Sequence, residues 1–230
     1  MRTQDSIQIK ICGITREQEI DWLLEEQVEY LGMVLFCPQS KRNLEPERAA
    51  ELLVYLKEQE KILGRVIQTV AVMVSPTREQ MKLAEELGFD FLQLHGRIEP
   101  ELWKQVKLPV IRAVQVVTNE QMTETVNTDD CVVARLYDAA RPGSGKAFDW
   151  NHLTANSLPP VTKLFLAGGL TPDNVAEAIR MVHPDVVDVS SGVEADSTAD
   201  GSFAGKDREK ISRFVKAVRE QKELKEEKRR

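Results

Sequence analysis

The chain has 230 residues, with 31 Lys plus Arg against 37 Asp plus Glu and a formal net charge of −6. At 42% hydrophobic and 30% charged it carries enough apolar material for a sizeable core, which excludes a disordered chain or a coiled coil. The mild acidic excess argues against a nucleic-acid partner or an anionic membrane surface, although backbone N–H groups would still bind a small anion. Three cysteines cannot all pair with one another, and no stretch reaches the roughly 18 apolar residues of a membrane-spanning helix. The start lacks the apolar run of a signal peptide, so a reduced, cytoplasmic protein is the expectation.

Short β-rich runs alternate with longer, charged segments of helical period. A strand over Ile7–Cys12 leads to a helix over Arg16–Glu26, and a strand over Tyr30–Phe36 to a helix over Pro46–Lys61. The run Val70-Ala71-Val72-Met73-Val74 inside Ile67–Val74 is continuously apolar, as suits a parallel strand covered on both faces. A helix over Thr77–Leu87 follows, opened by a Thr77–Gln80 capping box. Next come a strand over Phe91–His95 with a helix over Pro100–Val106, and a strand over Val110–Val116 with a weak helix. The strand Val132–Asp138 precedes a segment that is mostly loop. The strand Lys163–Ala167 precedes a helix over Pro172–Val182, with Pro172 in its first turn behind Thr171. Last come the strand Val186–Ser190 and a helix over Asp207–Glu227.

Eight strands with intervening crossovers in one chain of this length predict an α/β fold, a single (β/α)₈ barrel domain over residues 1–230. Residues 219–230 alternate in charge and read as a solvated helix end or tail. A doubly wound open sheet is the alternative. It fits less well, because Gly13-Ile14-Thr15-Arg16 after the first strand is not a dinucleotide-binding fingerprint.

In a barrel the strand C-termini form the active face. Here they carry Cys12, His95 and Asp138, and the last two strands run into Gly168-Gly169 and Ser190-Ser191-Gly192. Singly, such a cysteine reads as a small buried hydrophobe, such an aspartate as a turn former and a Gly-Gly pair as a turn. Together they say more. Small residues after the seventh and eighth strands are where barrels build phosphate sites from loop amides, and the Ser190 and Ser191 hydroxyls would add donors. Gly143-Ser144-Gly145, after Asp138, reads as a surface turn or a lid. His95, His152 and His183 are scattered and no C-x-x-C or H-x-x-x-H occurs, so no metal site is expected; no G-x-S-x-G elbow supports a serine hydrolase. Residue by residue, the reading stops at a phosphate-binding barrel with Cys12 and Asp138 as a candidate acid–base pair.

Six stretches, in order, resemble the phosphoribosylanthranilate isomerase family of tryptophan biosynthesis. They are Lys10-Ile11-Cys12-Gly13-Ile14-Thr15, Leu31 to Arg42, Leu92-Gln93-Leu94-His95-Gly96, Gly143 to Trp150, Leu166-Ala167-Gly168-Gly169-Leu170, and Val187-Asp188-Val189-Ser190-Ser191-Gly192-Val193-Glu194. The resemblance implies an Amadori rearrangement of N-(5-phosphoribosyl)anthranilate to 1-(2-carboxyphenylamino)-1-deoxyribulose 5-phosphate, with a small phosphosugar as the partner and no cofactor. It implies Asp138 as general acid and Cys12 as general base, Arg42 on the anthranilate carboxylate, Asp188 on a sugar hydroxyl, and Gln93 and His95 lining the pocket. Gly168, Gly169, Ser190, Ser191 and Gly192 would hold the phosphate, and Gly143, Ser144 and Gly145 would form the lid. Cys37 and Asn43 stand where the family commonly has an aromatic, and residues 195–204 are longer than its usual turn, which predicts a mobile surface loop.

Other phosphosugar barrels fit less well. A histidine-pathway isomerase would carry an aspartate at the first strand end, where this chain has Cys12, and a ribulose-phosphate epimerase would need a metal cluster. A silent metabolite-binding barrel would need neither Cys12 nor Asp138.

Overall fold

The computed structural model describes residues 7–116, 131–139, 163–196 and 202–227. Its strands are β1 (Gln8–Cys12), β2 (Tyr30–Leu35), β3 (Gln68–Val74), β4 (Phe91–His95), β5 (Val110–Val116), β6 (Val132–Ala139), β7 (Lys163–Leu166) and β8 (Val186–Val189). Each pairs in parallel with the next, and β8 pairs with β1 through Ile9 opposite Val187 and Lys10 opposite Asp188, so the sheet closes into an eight-stranded barrel. A two-residue strand, Asn43–Leu44, adds to the end of β2. Helices α1 (Glu17–Glu25), α2 (Pro46–Leu63), α3 (Arg78–Leu87), α4 (Pro100–Trp103), α5 (Val175–Val182) and α6 (Arg208–Glu227) lie between and after the strands.

Strand period explains why most of these strands read as continuously apolar. Side chains alternate between two dry environments, because helices cover the outside and the barrel is filled inside. Ile9, Ile11, Leu31, Met33, Ala71, Met73, Leu92, Leu94, Leu166 and Val187 pack outward with the helices. Tyr30, Val34, Val70, Val72, Ile111, Ala113, Ala134, Leu136, Phe165 and Val186 fill the interior. The floor is aromatic: Tyr30 meets Phe91 and Phe165 edge-to-face at 5.9 and 5.4 Å. Lys163 and Gln8 seal that end, with the Lys163 ammonium 2.9 Å from the Tyr30 hydroxyl. Beyond Gln8, the described polar side chains on the inner faces of β1, β4, β6 and β8 (Lys10, Cys12, Gln93, His95, Asp138 and Asp188) stand toward the opposite rim.

The Thr77–Gln80 capping box opens α3 as the sequence predicts. Two helices differ from expectation. The α4 helix ends at Trp103 rather than Val106. The α5 helix begins at Val175, because Thr171 to Asn174 form a separate turn in which the Asn174 side chain accepts from the Thr171 N–H at 2.8 Å. Pro172 thus sits in that turn and not in the helix. The charged C-terminal stretch is packed at its start: Arg219 donates to the carbonyls of Glu26 and Gln27, and Gln221 is buried against Arg180. Among the described residues no helix is long and apolar enough to cross a membrane.

Candidate active site

The inner face of β1 carries Gln8, Lys10 and Cys12 in alternation, one per layer from floor to rim. Cys12 is buried, the last residue of its strand. Asp138 lies two residues beyond Leu136 on β6, which places it on the inner face, half-buried near the rim and opposite Gln115 of β5. On β4, Gln93 and His95 share the inner face, and their side-chain nitrogens lie 2.9 Å apart. On β8, Asp188 stands beside Lys10 in register. The alternation thus brings Cys12, Asp138, Gln93, His95 and Asp188 from four strands to one end of the barrel. Gly143, Ser144 and Gly145 lie outside the described residues.

Lys10 is the central residue that the sequence reading leaves unassigned. It is fully buried, and its Nζ donates to Asp188 Oδ2 at 2.9 Å. Burial opposes its charge, but Asp188 and Cys12 outweigh that and hold the ammonium above its ordinary pKa. Breaking such a pair by removing one partner costs about 3–5 kcal/mol, because it strands a charge in a dry interior. Burial likewise pushes the Cys12 thiol up, against the pull of the Lys10 and Lys206 cations and with a push from Asp188. His95 is held down at about 4, first by burial and then by the charges of Lys10 and Arg112, so the imidazole is neutral at pH 7. Two buried acceptors, Asp188 Oδ1 and Gln93 Oε1, have no hydrogen-bond partner among the described residues. Unsatisfied buried acceptors of this kind call for a donor, and the hydroxyls of a sugar are donors of the right kind.

The rim beyond β7 and β8 is made of turns. Gly168 and Gly169 have φ of 89° and 67°, the left-handed region that glycine enters without steric cost. Asn174 pins this turn by donating to the Gly169 carbonyl at 2.9 Å. After β8, Ser191–Val193 forms a 3-10 turn whose first N–H groups have no partner within the turn itself. One expectation changes here. The Ser190 hydroxyl donates to the Cys12 carbonyl at 3.0 Å, so its proton ties β8 to β1 and is not offered to an anion. Under the turn lies a second unforeseen cation, the buried Lys206, which donates to the Ser190 carbonyl at 3.1 Å and to Glu194 at 3.3 Å.

Arg42 is not a solvated strand-end charge. Its Nε donates to Glu194, which also takes Lys41 at 2.9 Å and Lys206. Burial pushes the Glu194 carboxyl up, but the Arg42 hydrogen bond, the Lys206 charge and the Lys41 hydrogen bond prevail and hold it at about 2. Gly13 lets the arginine pass, since a Cβ there would stand 2.5 Å from Arg42 Cδ. Asn43, at a position the family commonly fills with an aromatic, accepts from the Cys37 N–H at 2.7 Å and braces the loop behind Arg42. The far end of the expected mobile loop is docked: Arg16 donates to the Ala204 carbonyl at 2.7 Å, and Lys41 stands over the Phe203 ring. Residues 197–201 lie outside the described residues.

Lys10 had a sequence signal, because it is a charged residue at an inward position between Ile9 and Ile11. Lys206 had none, since only the fold carries it under the β8 turn. Among the described residues no cluster of His, Cys, Asp or Glu could hold a metal ion.

The sequence matches, over residues 9–217, the family described as N-(5'phosphoribosyl)anthranilate (PRA) isomerase. It is 37% identical over 212 residues to an N-(5'-phosphoribosyl)anthranilate isomerase of Streptococcus pneumoniae, covering 92% of this chain and 95% of that relative. The crystal structure of phosphoribosyl anthranilate isomerase from Thermotoga maritima superposes with a TM-score of 0.78 at 33% identity, covering 93% of this chain and 99% of that one. A second solved phosphoribosyl anthranilate isomerase, in complex with reduced 1-(o-carboxyphenylamino)-1-deoxyribulose 5-phosphate, gives 0.75 at 31% identity with the same coverage.

Proposed function

This chain belongs to the N-(5'-phosphoribosyl)anthranilate isomerase family, and on that premise we propose that Cys12 and Asp138 are the base and the acid of its rearrangement. It is an aldose–ketose isomerase of tryptophan biosynthesis. Its reaction turns N-(5'-phosphoribosyl)anthranilate into 1-(2-carboxyphenylamino)-1-deoxyribulose 5-phosphate. The observation that carries the residue assignment is the convergence of Cys12, Asp138 and the orphaned Asp188 acceptor at one end of the barrel interior.

Asp138, protonated, delivers its proton to the furanose ring oxygen. The C1–O bond breaks, the oxygen leaves as a neutral hydroxyl, and the anthranilate nitrogen supplies the electron pair that makes a C1=N iminium. The iminium acidifies the C2–H, and Cys12 as thiolate removes that proton to give an enolamine. Moving the C2 hydroxyl proton to C1 yields the ketone, and solvent returns a proton from Cys12 to Asp138.

Asp188 Oδ1 accepts a sugar hydroxyl, and Gln93 and neutral His95 line the pocket without moving protons. Arg42, oriented by Glu194, has its terminal nitrogens for the anthranilate carboxylate. The N–H groups of the Gly168-Gly169 turn and of Ser191-Gly192 hold the phosphate, with the buried Lys206 beneath Ser190 adding positive potential. Residues 1–230 act as one catalytic domain, and the reduced cysteines support a cytoplasmic setting.

The test is direct. In a fluorescence assay of phosphoribosylanthranilate consumption, run in chelator, Cys12→Ser and Asp138→Asn should each lower kcat by about 10² or more. Near-normal turnover in either variant removes that residue from its role.

A further inference from the structure

Lys10 poses a question that stability does not answer. Apart from its partner Asp188, it is set among an interior cluster of neutral side chains such as Val70 and Ile111, and a buried ion pair is seldom more stabilising than an apolar pair of the same volume. The neighbouring strand also gives ground to it. Gly32 of β2 lies outside the positive-φ glycines, so its backbone does not require glycine. A Cβ on Gly32 would meet both Lys10 Nζ and Cys12 Sγ at 3.0 Å. The ammonium and the thiol therefore lie within twice that distance of each other, sharing a space that β2 keeps open by having no side chain. On its other side the same Nζ binds Asp188 Oδ2 at 2.9 Å.

We propose that Lys10 is a positioning residue, the shared counter-ion of Cys12 and Asp188. It lets the sulfur carry negative charge in a water-excluded barrel and pairs with one oxygen of Asp188, leaving the other open to a sugar hydroxyl. This goes beyond the assignment of Cys12 as base and rests on it. In a dry interior a lone thiolate is strongly disfavoured, and an ammonium within a few ångströms is the strongest available remedy. The charges around Cys12 are arranged in that sense. Lys10 on its own strand and Lys206 from the segment after β8 favour the thiolate, whereas Asp188 on β8 disfavours it. His95 on β4 is neutral, Arg42 is tied to Glu194, and Asp138 stands on the inner face of β6.

These signs set the experiment. Full-length protein is alkylated with iodoacetamide from pH 6 to 11, and modification of Cys12 is read by peptide mass, separately from Cys37 and Cys131. Lys10→Met should move the Cys12 midpoint up by about one pH unit or more, a tenfold loss of thiolate per unit below the midpoint. It should also lower kcat by about tenfold or more. Asp188→Asn should move the midpoint the other way, downward. A purely structural role for Lys10 predicts that loosening the barrel speeds alkylation in both variants with neither midpoint moved. If circular dichroism shows that Lys10→Met does not fold, the Lys10→Met/Asp188→Asn double variant removes both charges. Its midpoint should still lie above wild type, because the lysine is the stronger influence on the thiol. An unmoved midpoint in folded Lys10→Met, or a double-variant midpoint at or below wild type, overturns the proposal. Near-normal turnover of Cys12→Ser, measured in parallel, overturns the base assignment instead and takes the positioning role with it.

Discussion

Replacing Glu194 by glutamine isolates one electrostatic hub. The carboxylate receives Arg42, Lys41 and Lys206, and only Lys41, at 51% side-chain exposure, is in open contact with solvent. Together they hold the group from its ordinary 4.5 down to about 2. At about 1.4 kcal/mol per pH unit that is about 3 kcal/mol at most, and solvent screening on the Lys41 side brings it to about 2 kcal/mol. The sign follows from linkage. A carboxyl with a depressed folded pKa stabilises the fold above its unfolded pKa, near 4.5, and the contribution disappears as pH falls from there toward 2. Glu194→Gln should therefore be about 2 kcal/mol less stable than wild type at pH 7, and the gap should close as pH falls through 4 and 3. Urea unfolding followed by circular dichroism at pH 7, 5, 4 and 3 measures it. Every other acid titrates in both proteins, so the difference belongs to residue 194. A gap that stays constant down to pH 3 refutes the electrostatic account and leaves packing as the cause. Because Arg42 loses its anchor, KM for the substrate should rise in the same variant.

Arg42→Ala should raise KM by about tenfold or more, the worth of a charge-assisted contact to a carboxylate, with a smaller change in kcat; an unchanged KM removes Arg42 from the carboxylate. Gly192→Ala places a Cβ on the Leu170 carbonyl oxygen and within 2.9 Å of its carbon, forcing the β7 and β8 turns apart. It should cost about 1–3 kcal/mol of stability and weaken inhibition by inorganic phosphate several-fold, and phosphate inhibition at wild-type strength places the anion elsewhere.

The barrel was legible because its signals are local. Apolar runs such as Val70 to Val74 and caps such as Thr77–Gln80 depend on neighbours a few residues away, and strand signals recur eight times along the chain. The α5 start was misread for the same reason in reverse. Thr171-Pro172 is a sound helix opening by propensity, but the side chain of Asn174 closes a turn first. Cys12 and Asp138 were legible as candidates only together with the small-residue turns on the same rim, since each alone has an ordinary structural reading, and Asp188 was legible only through the family resemblance. Ser190 was legible as a polar rim residue but not in its orientation, since its partner, the carbonyl of Cys12, is 178 residues away.

By itself the sequence determined the fold class, the order of the strands and the candidate rim positions, because side-chain period and strand termini are properties of short segments. Only the tertiary structure decided the electrostatic surroundings of those positions. Burial and long-range neighbours set it: Lys10 against Asp188, Lys206 beneath Ser190, and Glu194 drawing Arg42 from a loop more than 150 residues away. The −6 of the whole chain carries no trace of this. The buried lysines Lys10 and Lys206 give the active end its own local electrostatics, since a charge in a closed barrel acts over a few ångströms at strengths that water denies the surface.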